Sequence, residues 1–192
     1  MALILASASP IRRSMLEAAG VEFSVAAAGI DEAGLKDDSS SDALCQRLAD
    51  AKAVAVSSAH RADVVIGSDG LVSIGGRRFD KPADRRQAAE HLRFFSGKSM
   101  ILTSAIALAR DGQVEWRHTD NATLKVRLLS DQFIADYLDA EWPGVAYCVG
   151  VFRLEGRGVQ LFDAIEGSHF TVLGMPLLPL LGELRARGLA PA

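Results

Sequence analysis

Apolar residues recur along the chain in blocks whose spacing changes from one segment to the next. Leu3 to Ala6 is an unbroken apolar run, the pattern of a buried strand. Ser9 then offers a helix N-cap and Pro10 a first helical residue; Met15, Leu16 and Ala19 share one face before a stop at Gly20. Phe23 to Ala27 reads as a second strand. The polar stretch Asp37-Asp38-Ser39-Ser40-Ser41-Asp42 reads as a loop ending in a cap. Leu44, Leu48, Ala51 and Ala55 follow at helical spacing and predict a helix over about 42–58. Val64 to Gly67 reads as a third strand, buried on both faces, and Leu71 to Ile74 as one arm of a hairpin turning at Gly75-Gly76. Asp84 starts a helix with Ala88, Leu92 and Phe95 inward, stopped by Gly97.

The second half opens with a long hairpin: Met100 to Ala109, a turn at Asp111-Gly112, and a return through Val114 to Leu129. Ser130 caps a helix carrying Phe133, Ile134, Tyr137 and Leu138. Strands are expected around Val145 to Leu154 and Val159 to Ile165, flanking Gly156-Arg157-Gly158. A last helix is expected from Leu177 to Arg187. Helices alternating with strands, one long hairpin among them, predict an α/β fold with a mixed sheet rather than a clean doubly wound one.

Composition narrows the class of protein. The 192 residues fit one domain, residues 1–192, or a two-lobed single unit, with 49% apolar and 23% charged residues. The formal charge is -3 and no window gathers Lys and Arg, so no basic face for nucleic acid is expected. Cys45 and Cys148 lie far apart without a CxxC partner, which argues against a disulfide framework or a zinc site. The apolar N-terminus stops at Ser7 without a charged n-region, and Phe170 to Leu184 is broken by Gly174, Pro176 and Pro179. No membrane segment and a cytoplasmic location are expected.

Candidate chemistry sits at the strand ends. Ser7-Ala8-Ser9-Pro10-Ile11-Arg12-Arg13 lies where a strand feeds a helix, and a helix N-terminus favours anions. Its hydroxyls and guanidiniums suit phosphate oxygens; the same pattern also describes a capped surface helix with two solvated arginines. Asp69 follows Val64-Val65-Ile66 through Gly67-Ser68, at the carboxyl end of a buried strand, where α/β folds place their crevice. It suits a metal ligand or a general base, or a turn-forming Asp in a Gly-rich loop. Arg12, Arg13, Lys52 and Lys81 together match the roughly four negative charges of a triphosphate. Glu32 and Asp69 supply carboxylates for a magnesium-type ion. The histidines His60, His91, His118 and His169 show no metal spacing, and Ser7 lacks a Gly-x-Ser-x-Gly setting.

In combination these segments resemble the Maf family of nucleotide pyrophosphatases over nearly the whole chain. The resemblance rests on Leu3 to Arg13, Asp31-Glu32, Leu48 to Ala53, Val65-Ile66-Gly67-Ser68-Asp69, Lys81-Pro82, Ser96-Gly97 and Val172 to Leu177, in that order. It implies an elongated fold with helices on the faces of the sheet and two lobes around a deep cleft, commonly a homodimer. It also implies hydrolysis of a nucleoside triphosphate to the monophosphate and pyrophosphate, with a divalent cation of the Mg2+ or Mn2+ type. Asp69 falls on the proposed general base. Ser7, Arg12, Arg13, Glu32, Lys52 and Lys81 fall on positions implicated in substrate or metal binding.

Cys148 to Gly158 looks most like the 7-methyl-GTP branch, with Glu155 where the dTTP/UTP branch has Gln. Gly70 stands where the branches have Thr or Gln, Ile11 replaces Arg or Trp at another specificity position, Met100 replaces His and Asp80 replaces Gly. A dTTP/UTP pyrophosphatase and a non-catalytic nucleotide-binding regulator of cell division are the alternative readings.

Overall fold

A computed structural model describes residues 1–191. The strands β1 (Leu3–Leu5), β2 (Ser24–Val25), β3 (Val64–Ile74), β4 (Arg77–Phe79), β5 (Ser99–Arg110), β6 (Gln113–Val126) and β7 (Phe162–Glu166) form one mixed sheet. Its order is β2-β1-β3-β5-β6-β7, with β4 paired to β3. β1 pairs in parallel with both β2 and β3, whereas β4 and β7 join their neighbours antiparallel. The helices are α1 (Pro10–Ala18), α2 (Ser41–Ala59), α3 (Arg85–Phe95), α4 (Asp131–Glu141), α5 (His169–Val172) and α6 (Leu177–Ala186). None of them is long and apolar enough to cross a membrane.

The helix starts follow from side chains that satisfy orphan N–H groups. Ser9, Ser40, Asp84 and Ser130 accept from the backbone N–H of Arg12, Ala43, Gln87 and Phe133. Between β5 and β6, Asp111 and Gly112 both take positive φ, 48° and 73°, which a two-residue turn matched to strand twist demands.

Contacts divide the chain into two compact units. The first comprises Met1–Gly70, Thr103–Asn121 and Ser168 onward; the second comprises Leu71–Leu102 and Ala122–Gly167. In the first, β1 and the start of β3 bury Leu3, Leu5, Val64 and Ile66 against Leu16 of α1 and Leu180 and Leu184 of α6. In the second, Phe79, Leu92, Phe95, Ile134 and Leu138 are buried, and α3 packs on α4.

Two expectations are corrected. β3 does not end at Gly67: it runs unbroken for 11 residues, so Asp69 lies in mid-strand rather than in a turn at a strand end. Gly67 serves a close approach, since a Cβ there would stand 2.1 Å from the Ala49 carbonyl and 2.6 Å from the Ala53 nitrogen of α2. The expected strand at Val145 to Leu154 is absent; Gly144–Tyr147 is a short 3-10 turn and irregular backbone follows. Val151 takes φ 57°, outside the strand region, and a Cβ on Gly158 would fall 2.4 Å from the Arg153 carbonyl. The loop therefore folds on itself. β7 begins only at Phe162, after a 3-10 turn over Arg157–Leu161.

Candidate active site

The tight packing of α2 on Gly67 sets the central pair of the first unit. With Ala49 and Ala53 against the strand, Lys52 lies one residue from the contact and Asp69 two residues beyond it. Lys52 Nζ donates to Asp69 Oδ1 at 2.5 Å and pairs with Glu32 Oε1 at 2.8 Å. The Lys52 and Asp69 side chains are only 12% and 10% exposed, so this pair is shielded from water, whereas Glu32 is 49% exposed. One ammonium is thus shared between two converging carboxylates.

Arg12 is fixed from the other side. Ser9 caps α1, and Arg12, in its first turn, donates from Nε to the Gly174 carbonyl at 2.9 Å and from Nη1 to Ser7 Oγ at 3.4 Å. Ser7 Oγ also accepts from the Ser9 backbone N–H at 3.2 Å. Gly174, at φ 96°, and Gly70 both border the guanidinium: a Cβ on either would stand 3.5 Å from Arg12 Nη2. Any side chain at position 70 would start in van der Waals contact with that end of the guanidinium. Ile11 is half-buried on the same helix. The charges of Asp69, Arg12 and Lys52 are all felt at Cys45, whose thiol is pushed up by burial first and by Asp69 second. Cys45 is fully buried and is an inert part of the packing.

The structure therefore brings together Ser7, Arg12, Glu32, Lys52, Asp69 and Gly70. Arg13 points elsewhere, in an exposed ion pair with Glu17 at 2.7 Å on the outer side of α1. Lys81 and Glu155 belong to the second unit and are both exposed. Both act on the Cys148 thiol, which burial raises, Glu155 raises further, and Lys81 lowers. Glu155 sits in a loop held by Arg153, whose Nη2 pairs with buried Glu141 at 2.8 Å, and by Tyr137, whose hydroxyl donates to the Val151 carbonyl at 2.9 Å.

Sequence reasoning missed the buried hydroxyls behind Arg12. Ser68 Oγ donates to the same Gly174 carbonyl at 3.2 Å, and Ser104 Oγ donates to the Thr171 carbonyl at 2.8 Å. The available signal was a hydroxyl inside an otherwise apolar strand, since a buried polar group has to find a partner.

Among the described residues no group of three or more His, Cys, Asp and Glu stands together as a metal cage. The two carboxylates on Lys52 nevertheless form an all-oxygen donor pair, and a magnesium-type ion is commonly held by one or two carboxylates plus substrate phosphates. The donor set fits such an ion.

Known proteins are similar to this chain over nearly its whole length. Residues 2–187 match the family described as Maf-like protein. The chain is 47% identical over 191 residues to a 7-methyl-GTP pyrophosphatase of Rhizobium meliloti (strain 1021), covering 97% of this chain and 96% of that one. It is 45% identical over 201 residues to a nucleoside triphosphate pyrophosphatase of Sphingopyxis alaskensis (strain DSM 13593 / LMG 18877 / RB2256), covering 100% of both. A solved nucleoside-triphosphatase / dITP/XTP pyrophosphatase from Mycobacterium abscessus aligns over 98% of this chain and 96% of that one, at 14% identity and a TM-score of 0.43, too remote a likeness to add to these.

Proposed function

The chain belongs to the Maf family, and we propose that it hydrolyses a nucleoside triphosphate to the monophosphate and pyrophosphate, with 7-methyl-GTP the leading substrate. The observation that carries this reading is the shielded Asp69–Lys52 pair, with Glu32 against the same ammonium, beside a backbone-anchored Arg12. A carboxylate there can take the proton of an attacking water, while fixed cations neutralise charge on the phosphates, the dominant task in phosphoryl transfer.

Asp69 is the general base in this reading. Ser7 and Arg12 grip phosphate oxygens at the α1 N-terminus, and Lys52 is shared between Asp69 and the phosphates. Lys81 adds positive charge toward the phosphates, while Arg13, paired with Glu17 on the outer side of α1, contributes only as a more distant charge. Glu32 and Asp69 would hold a divalent cation, which when bound supplies charge neutralisation on the phosphates. Glu155 reads the base, with Ile11 and Gly70 as further specificity positions. Homodimerisation, supported by the resemblance, and a cytoplasmic location belong to the same proposal.

The test is product analysis across 7-methyl-GTP, GTP, UTP, dTTP, CTP and ATP with Mg2+ or Mn2+. Pyrophosphate and monophosphate are expected, with 7-methyl-GTP turned over best. Release of orthophosphate and a diphosphate, or no turnover of any triphosphate, would overturn the reading.

A further inference from the structure

Behind Arg12 lies a chain of buried hydrogen bonds that touches neither Asp69 nor Lys52. Ser68, Ser104 and Thr171 are each fully buried. Buried hydroxyls are costly unless every one is paired, and a fully paired network rigidifies what it surrounds. Thr171 Oγ1 donates to Asp120 Oδ2 at 2.5 Å, and the Thr171 carbonyl accepts from Ser104 Oγ at 2.8 Å and from the Gly174 N–H at 3.0 Å. The short helix α5 is thereby tied to β5 and β6 immediately before the turn that ends at Gly174. That turn uses φ 96° at Gly174, and its carbonyl accepts from both Arg12 Nε and Ser68 Oγ.

We propose that Thr171 and Asp120 are positioning residues for Arg12, fixing the Gly174 carbonyl and through it the guanidinium that meets the phosphates. The proposal rests on the reading of Arg12 as a phosphate-binding residue. The physical requirement is preorganisation: a flexible arginine must be immobilised before it can aim donors at a phosphate. A carbonyl is a good anchor only if its own peptide cannot rotate. Here the peptide's flank is held by Thr171 on one side and its oxygen by Ser68 on the other. Displacing a clamping residue by about 1 Å is enough to cost up to ~100-fold in rate.

The experiment is a double-mutant cycle on the full chain, with Arg12→Ala, Thr171→Val and the double variant, read as kcat/KM for the triphosphate and as inhibition by pyrophosphate. Thr171→Val keeps the shape and removes the donor to Asp120. It is expected to lower kcat/KM about tenfold and weaken pyrophosphate inhibition in parallel, while Thr171→Ser restores both to within about twofold. In the Arg12→Ala background, Thr171→Val is expected to change neither quantity further. If Thr171→Val does not fold, Asp120→Ala removes the same hydrogen bond from its half-buried end and enters the same cycle. A Thr171 effect that is equally large without Arg12 overturns the positioning role and leaves the phosphate reading of Arg12 standing. An Arg12→Ala variant with unchanged kcat/KM and pyrophosphate inhibition overturns both. Loss of thermal stability with unchanged kcat/KM in Thr171→Val also overturns the proposal.

Discussion

Lys52 Nζ stands 2.5 Å from Asp69 Oδ1, and Gly67 is what permits it, because no side chain separates α2 from β3 at that point. The same ammonium also meets Glu32 at 2.8 Å. The pair is therefore a shared cation between two carboxylates of unequal burial, and replacing either partner has a distinct consequence.

Asp69→Asn keeps the size and an oxygen acceptor for Lys52, and Lys52 retains Glu32. Its fold is expected to survive, with a melting temperature within a few degrees of wild type. Loss of the base is expected to lower kcat at least about a hundredfold. Steady-state kinetics beside a thermal melt checks both; a variant retaining a tenth of wild-type kcat removes Asp69 as the base.

Lys52→Met has the opposite balance. It leaves the shielded Asp69 without its cation, and breaking a buried pair costs about 3 kcal/mol or more. For a chain of this size that is a melting point lower by roughly 6–12 °C. Mn2+ or Mg2+ without nucleotide is expected to raise the melting temperature of this variant more than that of wild type, since a divalent ion then meets Asp69 without the competing ammonium. Equal metal responses in the two proteins would contradict metal binding by Glu32 and Asp69.

Gly67→Ala tests the packing that builds the pair. Its Cβ would meet backbone on two sides, at 2.1 Å from Ala49 O and 2.6 Å from Ala53 N, so neither neighbour can yield by a rotamer change. Overpacking costs of about 3 kcal/mol are expected, again roughly 6–12 °C in melting temperature, with a fall in kcat as Lys52 moves off Asp69. Gly182 in α6 is the control: a Cβ there meets nothing within 4 Å, and Gly182→Ala is expected to stabilise by about 0.5–1 kcal/mol. Melts of the two alanine variants should move in opposite directions.

These cases show where sequence was readable. Ser9, Ser40, Asp84 and Ser130 carry their capping chemistry in the residue itself, and the Asp111-Gly112 turn needs only the φ preference of its two residues. Asp69 was recognisable as chemistry, but Gly67-Ser68 beside it looked like a turn. The demand for glycine at position 67 comes from α2, a tertiary contact that no local pattern contains. Val151 and Phe152 read as strand for the same reason: β propensity is local, whereas the glycines that fold the loop back on Arg153 act through space. Thr171 was invisible because a buried hydroxyl declares itself only through its partner, Asp120.

His91 gives a pH dependence in the second unit. Its Nδ1 is buried without a hydrogen-bond partner among the described residues, and its ring packs edge-on to Phe79 at 5.3 Å. Burial first and Arg77 second lower its pKa from the usual 6.5, against opposing pulls from Glu90 and Asp80. The unfolded chain therefore binds a proton at His91 before the folded chain does. Its contribution to stability is fully present above 6.5 and is lost as pH falls through the folded value. The wild-type melting temperature is expected to drop more between pH 7 and pH 5.5 (both about) than that of His91→Leu. Identical slopes in the two proteins would exclude His91 as the source.

Glu155 carries the prediction about the base. It is exposed, but on a loop whose backbone is not free: Arg153 is held by buried Glu141, and Gly158 lies so close to Arg153 that a Cβ would fall 2.4 Å from its carbonyl. The backbone that carries this carboxylate is therefore held. A carboxylate only accepts hydrogen bonds, whereas Gln both donates and accepts. The Watson–Crick edge of guanine offers two adjacent donors, N1–H and the exocyclic amine, which two carboxylate oxygens can meet together. Uracil and thymine offer one donor between two carbonyls, leaving a carboxylate oxygen facing an acceptor. Methylation at N7 adds positive charge to the guanine ring and favours a carboxylate further. Wild type is therefore expected to rank 7-methyl-GTP above GTP, and both above UTP and dTTP, in kcat/KM. Glu155→Gln is expected to lower 7-methyl-GTP turnover by roughly 10- to 100-fold, because mismatched polar groups are left unpaired, and to shift the ranking toward UTP and dTTP. The Arg153–Glu141 pair is untouched, so the melting temperature should not change. A wild type that prefers pyrimidine triphosphates, or a variant with an unaltered ranking, would remove Glu155 from base recognition.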